Sequence, residues 1–159
     1  VKDVDNRHGK KPIVPVAQRP EIDRWIISLL NTLIKEVTES LENYDPTPAI
    51  RAISEFVNEN LSNWYVRLNR KRFWGGEMTQ DKLAAYQTLY TCLKTVSLLA
   101  APFAPFITDR IYRDLNINET DNSGSGPLAA FPVDDTTLID NGLEEHMLIS
   151  QRISFMIRA

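Results

Sequence analysis

The chain has 159 residues, 43% apolar and 25% charged, which is enough for one domain with a real core and the composition of an ordinary folded protein. Its formal net charge of −3 excludes a generally basic nucleic-acid coat protein, so any nucleic-acid site must be local. The single cysteine, Cys92, excludes an internal disulfide and matches reduced, cytoplasmic usage, while no apolar run reaches the roughly 18 residues of a membrane span.

Residues 1–19 are polar and broken by Pro12 and Pro15, with five Lys/Arg against Asp3 and Asp5. They read as a linker or N-terminal tail without an apolar signal segment. The first predicted helix begins near Pro20 and Glu21, where Glu21 and Asp23 suit the positive end of the helix dipole. Its apolar residues Ile22, Trp25, Ile26, Leu29, Leu30, Leu33, Ile34, Val37 and Leu41 recur with helical spacing. The string from Asn43 to Pro46 stops it, and Asp45 with Pro46 restarts the chain as N-cap and first helical residue. The second helix carries a core stripe of Ile50, Ile53, Val57, Leu61, Trp64 and Leu68, and Gly75–Gly76 ends it.

Thr79 caps the third helix, which runs through Leu83, Tyr86, Leu89, Tyr90, Leu93 and Val96 to Ala101. Pro102 and Pro105 interrupt it, and Phe103, Phe106, Ile107, Ile111 and Leu115 support a fourth. Residues 116–137 form a long loop with a flexible Ser-Gly stretch, after which Leu128 to Pro132 is expected to tuck against the bundle. A fifth helix starts near Thr137 and Leu138, or after Asn141 and Gly142, and carries Leu143, Met147, Ile149, Ile153 and Ile157. With no repeats and no alternating strands, the fold is expected to be all-α, an antiparallel bundle of about five helices over 20–159. With Val1 at its start and residues 153–159 reading as helix at its end, the chain is expected to be a piece of a larger protein.

Residues 61–74 pack Arg67, Arg70, Lys71 and Arg72 among Trp64, Tyr65, Phe73 and Trp74, with no acid between them. Cations neutralise phosphates and aromatic faces stack on unpaired bases, so such a segment suits single-stranded RNA. Helical phase divides it. At about 100° per residue, Asn63, Arg67, Arg70 and Trp74 form a stripe displaced from the core stripe by about 120°. Lys71 and Phe73 stand at its margin. Trp64 falls on the core stripe, and Arg72 lies near the core edge with Glu55, Asp109 or Asp114 as expected partners. The plain alternative is that the arginines are solvated and Trp74 merely caps the bundle end. The seven acids of residues 116–145 would repel phosphate and are expected to face away from it. Asp109 to Asp114 is charge-balanced and reads as a solvated helix face. His8 and His146 have no ligand spacing around them, and no phosphate loop or nucleophile–base grouping is present, so neither a metal site nor a catalytic residue is expected.

Four blocks then fall in a familiar order: Arg19 to Ile26 (Arg-Pro-Glu-Ile-Asp-Arg-Trp-Ile), Ser62 to Arg67 followed by Arg70 to Trp74, Ala101 to Phe106, and Leu128 to Pro132. Over residues 19–158 the chain resembles the anticodon-binding helical domain of class I aminoacyl-tRNA synthetases. The spacing through Arg72-Phe73-Trp74 is most like the isoleucyl type, with looser versions in the valyl and leucyl types. The resemblance implies a module that follows a Rossmann catalytic core and docks the anticodon stem-loop of isoleucine tRNA. It implies no chemistry and no cofactor in this stretch, and ATP with Mg for the parent enzyme; neither adenylate-forming signature occurs in the sequence. The implied RNA-contacting set is Asn63, Arg67, Arg70, Lys71, Phe73 and Trp74, and the implied partners are the tRNA and the catalytic core of the same chain, without a membrane. The competing expectation is a helical protein-interaction module in which the same stripe docks on that core or on a partner protein.

Overall fold

The computed structural model describes residues 13–74, 76–116, 125 and 129–158. Residues 1–12 of the tail expected over 1–19 and most of the Ser-Gly loop lie outside them. Among the described residues six α-helices carry the fold: α1 (Glu21–Glu42), α2 (Pro46–Glu55), α3 (Arg70–Trp74), α4 (Gln80–Leu99), α5 (Pro105–Leu115) and α6 (Asn141–Arg158). Short 3-10 turns at Val16–Gln18 and Thr136–Leu138 precede α1 and α6. No strand occurs among the described residues. The sixth helix arises because the expected second helix divides into α2 and α3, joined by the π-helical segment Phe56–Val66.

Helix α1 is the central element, with α2, the π segment, α4 and α6 packed around it. Trp25, Ile26, Ile27, Leu30, Leu33, Ile34 and Val37 are all buried along it, as its apolar periodicity requires. The local signals act as expected at the joints. Asp45 caps α2 by accepting from the Thr47 amide at 3.2 Å, and Thr79 caps α4 by accepting from the Lys82 amide at 3.2 Å. Helix α1 ends in a Schellman turn: the Asp45 amide donates to Ser40 O and the Tyr44 amide to Leu41 O, both at 3.0 Å. Tyr44 occupies the left-handed position with φ 57°, where glycine is the usual choice.

Several sequence expectations are revised. Residues 14–19 pack onto the bundle: Val14 is buried with Leu83 and Ala84, and its amide donates to Gln87 Oε1 at 2.9 Å. Helix-two phase drifts, because a π turn takes more residues than an α turn. Leu68, beyond the π segment, therefore lies exposed rather than on the core stripe, while Phe56 and Tyr65 are buried; Ile50, ahead of that segment, is exposed as well. Helix α5 forms where expected, but its apolar residues Phe106, Ile107 and Ile111 face outward, and Thr108 and Tyr112 face the bundle. The charge-balanced face of α5 is as expected, with Arg110–Asp114 at 3.1 Å and Arg113–Asp109 at 2.8 Å.

Candidate nucleic-acid interface

The end of helix two is held by a buried ionic cluster. Asp23 is fully buried on α1. Arg72 donates to its two carboxylate oxygens at 2.8 and 2.9 Å, and Tyr65 Oη donates to it at 2.8 Å. Arg72 also reaches Asp81 of α4 at 2.8 Å and Asn69 Oδ1 at 2.8 Å. Its partners are thus Asp23 and Asp81, not Glu55, Asp109 or Asp114 as the sequence led us to expect. Burial alone would lower the Arg72 pKa, but its hydrogen bonds to Asp23 and Asp81 outweigh that and raise it. Nearby, Arg19 is buried and donates to Val14 O at 3.0 Å and to Thr88 Oγ1 at 2.9 Å. Burial pulls its pKa down, against the pull of Asp23. Burial and the Asp23 charge push the Tyr65 phenol well above the ordinary tyrosine range.

This cluster joins the start of α1, the end of helix two and the start of α4. Its Asp23, Tyr65 and Arg72 come from the recognised sequence blocks, so part of that motif is structural. In the sequence Asp23 suits the helix dipole, and its burial is not expected from that role. Its spacing of three and four residues before the buried Ile26 and Ile27 was the available signal that it belongs to the buried face.

The clamp leaves α3 with one inward and one outward side. Phe73 turns inward. It is half-buried and packs edge-on against Tyr86 at 5.4 Å and Tyr65 at 6.4 Å, while its carbonyl accepts from Tyr86 Oη at 3.0 Å. Trp74 points outward and is 74% exposed. The Arg70 guanidinium lies over its ring at 5.3 Å, a cation–π pair, and Lys71 is exposed beside them. Arg70, Lys71 and Trp74 therefore form a free tip that carries positive charge and an accessible indole.

Asn63 and Arg67 are also exposed, but they line a groove of about 960 Å³ between the π segment and α6 that Arg70 and Trp74 do not reach. Asn63 donates to Glu59 at 3.3 Å, and Gln151 of α6 donates to Asn60 Oδ1 at 3.1 Å across the groove. Glu144 and Glu145 line the opposite wall. Two of the seven acids of residues 116–145 thus face the Asn63 and Arg67 part of the stripe. Helix α6 is fixed there by hydrogen bonds to α1: Ser28 and Thr32 donate to Glu144, and the Asp140 amide donates to Ser28 Oγ at 2.8 Å. The Asp135 amide adds a bond to Asn31 Oδ1 at 2.8 Å.

Comparison with known proteins assigns this α-helical bundle to a class. A family profile described as the anticodon-binding domain of tRNA ligase matches residues 23–159, and the chain belongs to that family. The chain is 59% identical over 157 residues to an isoleucine–tRNA ligase of Bacteroides thetaiotaomicron, covering 98% of this chain and 14% of the relative. It is 57% identical to that of Porphyromonas gingivalis over 156 residues, covering 98% of this chain and 13% of the relative. With that of Dehalococcoides mccartyi, identity is 49% over 141 residues, covering 88% of this chain and 14% of the relative. The chain thus spans about one seventh of the length of these relatives. No helix among the described residues is long and apolar enough to cross a membrane.

Proposed function

We propose that this domain binds the anticodon stem-loop of isoleucine tRNA through the tip formed by Arg70, Lys71 and Trp74. The observation that carries this reading is the exposed Trp74 indole under the Arg70 guanidinium, in a chain of the anticodon-binding family. Stacking needs a ring with a free face, and phosphate contacts need cations that are not neutralised by neighbouring acids. Asn63 and Arg67 extend the surface towards the groove, where the carboxylates make phosphate contact less favourable. Phe73 supports the tip from inside.

The domain supplies binding alone. We infer that the longer polypeptide joins isoleucine to its tRNA with ATP and Mg in a separate catalytic domain, in the cytoplasm. Catalysis then depends on this domain only through the placement of the tRNA.

Titrating the chain with the isoleucine anticodon stem-loop RNA tests the reading. Trp74→Ala should weaken binding by about 1–3 kcal/mol. Arg70→Ala with Lys71→Ala should flatten the salt dependence by about one to two units of log–log slope. An unchanged affinity and salt slope in both variants rules this interface out.

A further inference from the structure

The groove between Phe56–Val66 and α6 combines an apolar lip with acidic walls. Leu68, Leu148, Phe155 and Met156 are all exposed along it, Phe155 at 77%. Four carboxylates, Glu55, Glu59, Glu144 and Glu145, line it against two guanidinia, Arg67 and Arg152. Among the described residues, none of these four carboxylates makes an ion pair. Just outside the groove the Glu36 carboxyl is pushed up, by burial first and then by the charges of Glu55 and Glu144, so negative charge accumulates there. A phosphate backbone would meet repulsion in this groove and gain nothing from leucine and phenylalanine side chains. An occupant with lysine or arginine alternating with apolar residues answers both features.

We propose that this groove is the docking site for a cationic amphipathic segment of the same polypeptide that lies outside these 159 residues. The relatives are about seven times longer than the matched stretch, so most of their sequence lies elsewhere. Tethering within one polypeptide gives an effective concentration on the order of millimolar, so a modest groove suffices. Exposed leucine, phenylalanine and methionine side chains on one face gain by being covered. The hydrogen bonds of Glu144 to Ser28 and Thr32 hold that wall in place before any partner arrives. The proposal does not depend on RNA binding at the Trp74 tip.

The test places the photocrosslinking residue benzoylphenylalanine at Leu148, and separately at Leu68, in the full-length polypeptide, and maps the crosslinked peptides by mass spectrometry. Both positions should reach one segment of the same polypeptide, rich in lysine or arginine among apolar residues. Yield should fall about ten-fold when Glu55→Lys and Glu59→Lys are combined. The milder pair Glu55→Gln and Glu59→Gln should lower it in the same direction and serves if the reversal fails to fold. Crosslinks to tRNA, to a separate protein or to a segment without basic residues overturn the proposal. Absence of a crosslink from either position, or a yield indifferent to these charge changes, overturns it equally. Stem-loop RNA affinity measured on the glutamine pair keeps the two readings apart: it should not fall, because carboxylates beside Asn63 and Arg67 only oppose phosphate contact.

Discussion

Asp23 has no exposure to water, and Arg72 is the cation that pairs with it. Removing one partner of a buried pair leaves an uncompensated charge, which costs about 3–5 kcal/mol. Arg72→Ala should therefore lower stability by that order in urea denaturation, whereas combining Asp23→Asn with Arg72→Met should cost clearly less than either charge removal alone. Cys92, also fully buried, has its thiol pushed up to about 12 by burial and the Asp23 charge. The folded state then keeps a proton that the unfolded state has released. Stability contributed by the neutral thiol is complete below pH 9.0 and is lost as pH rises towards about 12. Cys92→Ala should remove about one proton from the alkaline slope of unfolding free energy against pH. The native thiol should also resist alkylating reagents until the chain unfolds.

At the scale of the element, Tyr44 and the π segment depart most from regular helix. Tyr44 is 95% exposed, so its side chain contributes little packing to offset the left-handed backbone at φ 57°. Tyr44→Gly should raise stability by up to about 1 kcal/mol in thermal unfolding. In Phe56–Val66 the backbone bonding is less favourable than in an α-helix, so its amides should exchange with deuterium faster than those of Ile26–Val37 in α1. Helix α1 was legible in the sequence because its apolar residues keep an ideal period from Ile22 to Leu41. The caps at Asp45 and Thr79 were legible because capping depends on adjacent residues alone. The π segment was not, since a fixed 100° advance carries Leu68 inward. One widened stretch of helix reverses that assignment.

For the molecule as a whole, the division between tip and groove depends on long-range packing. The segregation of Trp74 and Arg70 from the core could be read from spacing within a single helix. That Phe73 faces Tyr86, that Arg72 binds Asp23 and Asp81, and that Glu144 and Glu145 face Arg67 depend on which helices become neighbours. No local pattern carries that information.

The Asp23–Arg72–Asp81 clamp also has an evolutionary consequence. The position of the Arg70–Trp74 tip is set by a bond to α1 and α4, not by the count of residues from the start of helix two at Pro46. A π turn is the place where a helix accommodates an added residue. Insertions or deletions between Val57 and Asn60, ahead of the buried Leu61 and Tyr65, can therefore drift through a lineage while Arg70, Lys71 and Trp74 stay in place. The same indel between Asn69 and Arg72 would shift the tip out of register and be selected against.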